Sequence, residues 1–403
     1  PPLAGFFYLV TTRDIGESTF AARSMCIIPI LFPPTYWQVT MQTGFVGLGA
    51  VVETAYLPAL RHLGIPMNEC WGFDANPGRR LPGITRCASL AALLGKPLDL
   101  LFITTASLQH LPVLEAALAS ACPRIVVEKP VVATLEQMTR LRELLNEPQH
   151  ARRVLALDHW MARDGALKLA LGELDERWQG EDAAQPRRPL LSSIQDIARI
   201  DGFLQEPSGF NDQGEPVALN FATGEPDTRQ LRHPDGVILD IGTHVLAMLR
   251  ETIRYCGGTD EMHLEVRQVS DRLGHAIARG DTQTAEGKAH LQGQLSGIPL
   301  NIWLNKYAGP AGGQKGLRIW LRDGRIINQD RRDNCEVVEL IAGDRIERWR
   351  RPGAIYEHCL GEHILGTESL FVRAPEEVSR LTQRRINEVA LLLELQQQLR
   401  GPH

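Results

Sequence analysis

Between Met41 and Asp158 short apolar runs alternate with amphipathic segments, and this alternation limits the folds open to the chain. The apolar runs have the length of strands, whereas the segments between them repeat apolar residues at helical spacing. Predicted strands are Thr43–Leu48, Met67–Asp74, Leu98–Thr104, Arg124–Glu128 and Val154–Asp158; predicted helices are Val51–Leu63, Ser89–Leu94, Gln109–Ala119 and Leu135–Leu145. Strands that alternate with helices form a parallel sheet with helices on both faces, so we predict an α/β domain with a doubly wound, Rossmann-type sheet.

Beyond residue 160 the pattern changes to longer runs in which apolar and polar residues alternate with a period of two. Predicted strands are Leu191–Ile200, Leu264–Ser270, Thr284–Ser296, Pro299–Tyr307, Gly316–Leu321, Arg325–Gln329, Glu336–Ile341 and Arg345–Trp349, after a helix over Asp164–Leu174. Asp323-Gly324, between two of these runs, is typical of a hairpin turn. The pattern predicts an α+β domain with a large, mainly antiparallel sheet. Residues 202–236 are predicted to form a long functional loop, and Pro375–Leu399 a helix that packs on the body or on another subunit.

A chain of 403 residues suits two domains better than one. We predict a dinucleotide-binding domain over residues 41–160 and a domain for substrate binding and oligomerisation over residues 161–403. Residues 1–40 are expected to be a peripheral extension that does not belong to the working protein. The apolar stretch from Met25 to Phe32 is broken by Pro29 and is too short to span a bilayer.

Charge and cysteine content exclude several classes of partner. The net charge of −5 and the pI of about 6.2 provide no electrostatic reason to expect nucleic acid or an anionic membrane. The seven cysteines are scattered without a CxxC pair, which favours reduced thiols in a cytoplasmic protein.

The first strand passes into its helix through a glycine-containing turn, Gly47-Leu48-Gly49-Ala50-Val51-Val52. Glycines at this point allow a tight turn and a close approach to a pyrophosphate, whose charge the helix N-terminus stabilises. Val52 occupies the third glycine position of GxGxxG, so the motif is incomplete. Asp74, at the end of the next predicted strand, is placed to accept hydrogen bonds from the ribose hydroxyls and to repel a 2′-phosphate, which favours NAD over NADP. Arg79 and Arg80 follow closely and keep NADP open.

A charged pair, Glu128-Lys129, ends a predicted buried strand and is followed by Pro130. The carboxyl ends of parallel strands face the ligand crevice, so Lys129 is a catalytic candidate. The alternative is that both charges are ordinary surface groups at a strand end.

An aspartate and a histidine lie in the apolar run from Asp235 to Leu249. If this run is one helix, Asp240 and His244 lie four residues apart on the same face. Polar groups in such a run cost free energy unless they are bonded. A structural Asp/His hydrogen bond and a role in catalysis both fit this pattern.

Taken in order and spacing, the Gly47-x-Gly49 turn, the Glu128-Lys129-Pro130 strand end and the segment from Asp240 to His244 resemble the glucose-fructose oxidoreductase and inositol dehydrogenase family (Gfo/Idh/MocA). The resemblance runs from about Met41 to the C-terminus. It implies catalytic roles for Lys129, Asp240 and His244 beside the nicotinamide. It also implies a cofactor site formed by Gly47, Leu48, Gly49, Ala50, Val51, Asp74, Thr104, Thr105, His110, Glu128 and Lys129. Ser107 and Leu108 depart from the family wording.

The chemistry of alcohol oxidation suits these residue types independently of the resemblance. A base must take the hydroxyl proton while hydride leaves the carbon, and histidine ordinarily titrates near about 6.5. We therefore expect His244 to be the base, Lys129 to stabilise charge on the same oxygen, and Asp240 to orient a neighbouring hydroxyl or the lysine. The roles of Lys129 and His244 could be exchanged, since a desolvated lysine can lose its proton near neutrality.

Two further segments contain histidines that are candidates for a substrate contact or a metal site. Asp158-His159-Trp160 resembles part of the DHYLGK segment of glucose-6-phosphate dehydrogenase. His159 is therefore either a substrate contact, the role also expected of Asp240 and His244, or a buried structural residue. The run Glu357, His358, Glu362 and His363 looks like a metal site, but its histidines are five residues apart and point to different helix faces. We predict no metal site.

Two functions follow from the sequence. The first is an NAD(P)-dependent oxidoreductase that acts on a secondary hydroxyl or keto group of a sugar, cyclitol or sugar derivative. The second is a non-catalytic regulator or scaffold on the same fold, as in the galactose-pathway repressor that resembles this family. The resemblance also suggests a homo-oligomer, dimer or tetramer, formed through the open face of the antiparallel sheet.

Overall fold

The computed structural model describes residues 41–66, 70–181, 183–184, 188–219, 224–227, 231–365 and 369–401. The predicted extension over residues 1–40 and the first residues of the predicted strand Met67–Asp74 lie outside this part of the chain. So do two short pieces of the predicted loop 202–236, namely residues 220–223 and 228–230.

The first half of the chain folds into a parallel sheet, as predicted, and the sheet has six strands where five were predicted. Its strands are β1 (Thr43–Val46), β2 (Cys70–Phe73), β3 (Thr85–Arg86), β4 (Leu100–Ile103), β5 (Ile125–Val127) and β6 (Val154–Ala156). Their spatial order is β3-β2-β1-β4-β5-β6, and every neighbouring pair is parallel. The order reverses between β1 and β4, and this reversal opens the ligand crevice at the carboxyl edge.

Helices cover the parallel sheet on both faces because its central strands are buried along their whole length. A π-helical turn, Val52–Tyr56, leads into the first helix. The helices are α1 (Leu57–His62), α2 (Leu90–Leu94), α3 (His110–Leu118), α4 (Leu135–Leu145) and α5 (Pro148–Ala151). Ser89 and Thr134 cap α2 and α4 by accepting hydrogen bonds from backbone N–H groups.

The second half is built on a nine-stranded sheet whose strands begin with β7 (Gln179–Glu181) and β8 (Ile197–Gln205). A separate hairpin, β9 (Ser208–Phe210) with β10 (Pro216–Ala218), follows. The remaining strands are β11 (Met262–Ser270), β12 (Lys288–Leu295), β13 (Ile298–Asn305), β14 (Lys315–Leu321), β15 (Ile326–Arg332), β16 (Cys335–Ala342) and β17 (Arg345–Pro352). The order is β11-β12-β13-β8-β14-β15-β16-β17-β7, with a parallel pairing between β13 and β8 and antiparallel pairings elsewhere.

The helices of the second half are α6 (Gly165–Leu171), α7 (Val237–Asp240), α8 (Gly242–Tyr255), α9 (Ile355–Cys359), α10 (Leu370–Arg373) and α11 (Pro375–Arg400). Helix α8 packs on the inner face of the nine-stranded sheet. Gly202 of β8 makes this approach close, since a Cβ there would lie 2.6 Å from Cγ1 of Val245. None of the helices in the described ranges has the length and apolar content needed to cross a bilayer.

The predicted strand Leu191–Ile200 is displaced in the structure. A 3-10 turn over Ile194–Asp196 precedes the strand, because the Asp196 carboxylate accepts hydrogen bonds from the N–H groups of Ser192 and Ser193. The strand therefore starts at Ile197 and runs to Gln205, into the segment predicted to be the start of a long loop. The hydrogen bonds of this turn therefore set the N-terminal end of the strand, which the apolar pattern had placed earlier in the sequence.

Helix α11 packs back on the parallel sheet and protects its edge. Strand β6 ends the sheet, and edge strands leave backbone groups unpaired. The buried Thr382 hydroxyl donates to the carbonyl of Val154 (2.8 Å) and accepts from the N–H of Ala156 (3.1 Å). One side chain of the C-terminal helix thus replaces the missing strand partner.

We predict that Thr382→Val lowers the free energy of unfolding by about 2–4 kcal/mol, since it leaves two buried backbone groups without partners. Urea denaturation measures this change. Thr382→Ser retains the hydroxyl and should recover most of the loss. Thr139→Val, which removes an exposed hydroxyl bonded within α4, serves as the control and should change stability by less than about 0.5 kcal/mol. Equal effects at both positions would contradict the edge-protecting role.

Candidate active site at the carboxyl edge of the parallel sheet

The turn after β1 has the shape that a dinucleotide requires. Gly47 has φ +91°, and a Cβ on it would lie 2.7 Å from the carbonyl oxygen of Thr104. Only glycine fits there. A Cβ placed on Gly49, by contrast, would meet no atom of the described residues within 4 Å, so the turn has an open side where the helix begins. Backbone N–H groups at a helix start are without intrahelical partners and suit a pyrophosphate.

Asp74 follows β2 and ties this turn to the neighbouring strand. Its carboxylate accepts hydrogen bonds from the N–H of Leu48 (2.7 Å) and the N–H of Asn76 (2.8 Å). Arg79 donates to the Leu48 carbonyl and to the Glu53 carboxylate, each at 2.6 Å. Arg79 is therefore engaged in holding the turn, and the exposed Arg80 is the arginine of this pair that faces solvent.

Val52, which stands where the third glycine of the motif is expected, is fully buried. It begins the π-helical turn and packs in the core below the helix. The turn keeps its open side without a third glycine, so the described residues fit a dinucleotide at this position.

Three predicted cofactor residues after β4 also support the crevice wall. The Thr104 hydroxyl lies within hydrogen-bond distance of the carbonyls of Val46 (3.1 Å) and Gly47 (2.7 Å). The ring nitrogens of His110 lie 2.7 Å from the Pro130 carbonyl and 3.0 Å from the Thr105 carbonyl. His110 is buried, so it links the ends of β4 and β5 and holds the segment that carries Lys129.

Glu128 lies below the crevice and is buried. Its carboxylate accepts hydrogen bonds from the hydroxyls of Tyr56 (2.7 Å) and Tyr356 (3.1 Å) and from the N–H of Lys129 (3.0 Å). Burial raises the pKa of Glu128. The residue is a support for the end of β5, and it is neither a surface charge nor a group exposed to a cofactor.

Lys129 extends from the end of β5 toward a carboxylate on helix α7. Its Nζ donates to Oδ1 of Asp240 (2.8 Å) and to the backbone carbonyl of the same residue (2.7 Å). Oδ2 of Asp240 accepts a hydrogen bond from Lys306, which follows β13. One carboxylate thus lies between two ammonium groups, one contributed by each sheet.

The charges of this cluster reinforce one another. Burial disfavours the ammonium of Lys129, but the Asp240 carboxylate outweighs burial, and the pKa of Lys129 lies above its ordinary value. The same balance raises the pKa of Lys306. Burial favours the neutral acid at Asp240, yet the two lysines hold its pKa well below the usual range. All three groups are charged near neutral pH.

The run that contains Asp240 and His244 is not one uninterrupted helix. The run forms two helices, α7 ending at Asp240 and α8 starting at Gly242, with Ile241 between them. Ile241 itself keeps right-handed helical dihedral angles, and Asp240 pairs with the two lysines while His244 pairs with Asp158. The spacing of apolar residues along the sequence does not reveal a break of one residue between two helices.

His244 is paired with an aspartate that follows β6. Its Nδ1 lies 2.8 Å and 2.9 Å from the two carboxylate oxygens of Asp158. Burial favours the neutral acid at Asp158, but the nearby His244 outweighs burial and the pKa of Asp158 is strongly lowered. Among the described residues none bonds to Nε2 of His244, so this nitrogen is the one available to a ligand.

Three aromatic rings pack round this pair. Trp160 stacks on His244 at 5.5 Å between ring centroids, and the edge of His159 contacts the same imidazole at 4.6 Å. His159 itself stacks on Tyr356 at 4.2 Å. Burial, followed by the adjacent His244, holds the pKa of His159 well below its ordinary value.

The structure thus brings together most of the residues singled out from the sequence. Lys129, Asp240, His159 and His244 lie at one edge, next to the glycine turn. Lys306, Asp158 and Tyr356 belong to the same cluster and were not predicted as site residues. Asp158 could have been found as the neighbour of His159 at a strand end, but no motif marks Lys306 or Tyr356.

The two glutamates of the metal-like run near the C-terminus, Glu357 and Glu362, are bonded to other residues. Glu357 accepts a hydrogen bond from the N–H of Ala354 and pairs with His62. Glu362 pairs with Arg177 and Arg351. These carboxylates serve as a helix cap and as ion-pair partners.

Beside this cluster lies a cavity of about 790 Å³, and Tyr307 on its wall follows Lys306 directly. Its other described walls come from the β9–β10 hairpin and from the segments around Arg232, Arg272 and Thr284. The cavity therefore begins at the residue next to Lys306 and continues into the region predicted to be a functional loop.

Comparison with known proteins identifies relatives of this fold. Residues 41–155 match the GFO_IDH_MocA model, described as an oxidoreductase family with an NAD-binding Rossmann fold. A comparison with curated sequences found no match.

Solved structures similar to this chain include a dehydrogenase and a ketoreductase. One is the UDP-N-acetylglucosamine 3-dehydrogenase GnnA from Acidithiobacillus ferrooxidans, with 16% identity, a TM-score of 0.54, and coverage of 88% of this chain and 97% of that one. Another is a mutant of KijD10, a 3-ketoreductase from Actinomadura kijaniata, in complex with TDP-benzene and NADP. It is 13% identical with a TM-score of 0.57, over 88% of this chain and 96% of that one. At 16% and 13% identity, this similarity is evidence for a shared fold and for nothing further.

We predict that Asp240→Asn makes the Lys129 amine several times more reactive toward acetic anhydride between pH 8 and 9. Without the carboxylate, burial and the charge of Lys306 both lower the pKa of Lys129, so a larger fraction is the neutral nucleophile. Competitive labelling followed by peptide mass spectrometry measures the rate. Lys288, exposed on β12, is the internal control. An unchanged Lys129 rate would show that Asp240 does not control this ammonium.

Proposed function

We propose that this chain, whose residues 41–155 match the NAD-binding Rossmann model of the Gfo/Idh/MocA oxidoreductase family, transfers hydride between a nicotinamide cofactor and a secondary hydroxyl or keto group of a sugar, a cyclitol or a sugar derivative. One observation carries the proposal. The Lys129–Asp240 and Asp158–His244 pairs lie at the same sheet edge as the glycine turn, and Lys129 and Asp158 are close enough to interact electrostatically.

His244 is the proton acceptor of the proposed reaction. Asp158 holds Nδ1, which fixes the tautomer and leaves Nε2 with its lone pair toward the crevice. The imidazolium formed when Nε2 takes the hydroxyl proton is stabilised by the Asp158 carboxylate. A bound nicotinamide supplies the acceptor for the hydride that leaves the same carbon.

Lys129 is the electrostatic partner in this proposal. Asp240 keeps its ammonium protonated and aimed, so the lysine donates a hydrogen bond to the reacting oxygen as negative charge develops there. The exchanged assignment, with Lys129 as base, is disfavoured because the pKa of Lys129 is raised. Asp240 and Lys306 then contact hydroxyls next to the reacting one.

We propose NAD as the preferred cofactor. The Asp74 carboxylate lies at the end of β2 beside the turn, where it accepts hydrogen bonds and disfavours a 2′-phosphate. Arg79 is committed to the Leu48 carbonyl and to Glu53, which leaves Arg80 to meet such a phosphate.

The substrate class is proposed from the site and from its relatives. GnnA is named a UDP-N-acetylglucosamine 3-dehydrogenase and KijD10 a 3-ketoreductase. The 790 Å³ cavity beside Lys306 has room for a substituent on a sugar. We also propose a cytoplasmic homo-oligomer, dimer or tetramer, that uses the open sheet face where Phe203, Trp303 and His290 stack in a partly exposed row.

We predict that His244→Ala and Lys129→Ala each lower kcat by about 10²–10⁴-fold while NADH binds almost as tightly as in the wild type, because both residues act on substrate oxygen. NADH fluorescence measures binding. Turnover is then measured with D-glucose, myo-inositol and UDP-N-acetylglucosamine, each with NAD and NADP.

His150→Ala, on α5 at the amino edge of the parallel sheet, is the control for this pair and should retain the wild-type rate. NADH binding without turnover of any of the three compounds, together with no change from either substitution, would favour the non-catalytic regulator over the enzyme.

We predict that Asp74→Asn weakens NADH binding by about 10-fold, since a hydrogen bond to a charged acceptor is lost, and weakens NADPH binding less. The amide oxygen can still accept from the Leu48 N–H, so the turn is retained. Fluorescence titration with both cofactors measures the ratio of Kd values. Asp99→Asn is the matched control, because Asp99 accepts a backbone hydrogen bond from Gln42 at the opposite edge. An unchanged ratio would argue against ribose recognition by Asp74.

A further inference from the structure

Folding brings three metal-ligand side chains together where the sequence indicated none. Asp158 and His159 follow β6, and His244 lies in the first turn of α8. Each offers one donor atom, and the three atoms lie within 4.8 Å of one another. The sequence predicted no metal site, because residues 159 and 244 are 85 positions apart and only folding makes them neighbours.

His159 provides the second observation. Its Nδ1 is buried and has no hydrogen-bond partner among the residues that the structure describes. Buried polar atoms are normally satisfied, so an unpaired ring nitrogen next to a carboxylate and a second imidazole indicates a missing partner. The ring is held in place by its stack on Tyr356 (4.2 Å) and by its edge contact with His244 (4.6 Å).

We propose that Asp158, His159 and His244 bind one divalent cation of the Zn²⁺ type. Two imidazole nitrogens and one carboxylate oxygen are a ligand set that zinc accepts, with the fourth tetrahedral position left for water. Zinc donors lie about 3.3 Å apart when each is about 2.0–2.1 Å from the metal. The donor atoms, which lie within 4.8 Å of one another, must therefore approach by at most roughly 1.5 Å when a cation binds.

The charges round the cluster permit a cation. Lys129 and Arg163 are the nearby positive groups, and both are neutralised, Lys129 by Asp240 and Arg163 by the buried Glu336. A bound cation would occupy the group assigned as proton acceptor, so it would block the proposed reaction. The binding itself does not depend on that reaction.

The test is calorimetric titration of Zn²⁺ into the chelator-treated full chain without cofactor, with one equivalent bound as the expected result. His159→Phe keeps the ring stack on Tyr356 and removes the ligand nitrogen, and it should weaken binding by at least about 100-fold. Asp158→Asn, which keeps a hydrogen-bond acceptor for His244, is the second variant and should have a similar effect. His290→Phe replaces another stacked histidine, on the far sheet face, and should leave binding unchanged.

Co²⁺ distinguishes this cluster from the cysteines. Bound to nitrogen and oxygen ligands, it should show visible bands of four-coordinate cobalt without the near-ultraviolet charge transfer of a thiolate. The proposal is overturned if the wild type binds no Zn²⁺, if binding survives both His159→Phe and Asp158→Asn, or if a thiolate band appears. Because NADH fluorescence is measured separately, failure here is distinguishable from failure of the proposed function.

Discussion

The site depends on the Asp240 carboxylate, which lies between two ammonium groups from different sheets. Lys129 extends from the end of β5 in the parallel sheet, and Lys306 follows β13 in the nine-stranded sheet. A carboxylate is required there, because two lysines this close repel each other and burial disfavours both charges. The ion pairs therefore fix the relative position of the two halves at the crevice. They also keep Lys129 protonated and oriented, which determines the role that it can take.

A second pair repeats this arrangement from the other side. Asp158 at the end of β6 holds His244 at the start of α8, so a strand of the first half orients a helix of the second. Below them, Glu128 accepts hydrogen bonds from Tyr56 and Tyr356, which come from opposite ends of the chain. The functional groups are thus placed by buried polar contacts between the two halves. Such contacts are costly when incomplete, so they restrict how the halves can pack.

The same features suit the proposed reaction. Hydride transfer from an alcohol needs a proton acceptor, a stabiliser for the developing oxyanion and a fixed cofactor, and the residues proposed for these three tasks lie along one sheet edge. The polar contacts come from elements that also form the core, and Thr382 protects the outer edge of the same sheet. Catalytic geometry and stability therefore share the same elements.

The sequence predicts those structural features that depend on residues close together in the chain, and it predicts contacts between distant residues poorly. Strand and helix alternation, the glycine turn and the strand end at Lys129 are local patterns, and the Rossmann sheet and the mainly antiparallel second sheet followed from them. The place of His244 near Lys129 was implied by the family resemblance and not by a local pattern. Periodicity missed the break at Ile241 and the turn at Ile194–Asp196, since both arise from one or two residues.

The sequence by itself determined which chemical groups are available and on which elements they lie. Only the tertiary structure decided their partners: Asp240 with Lys306, His244 with Asp158, and Glu128 with Tyr356, pairs separated by 66, 86 and 228 residues. The physical reason is that these pairings are set by the packing of one sheet and its helices against another. A charge or an imidazole acquires its protonation state and direction from neighbours that no local pattern encodes.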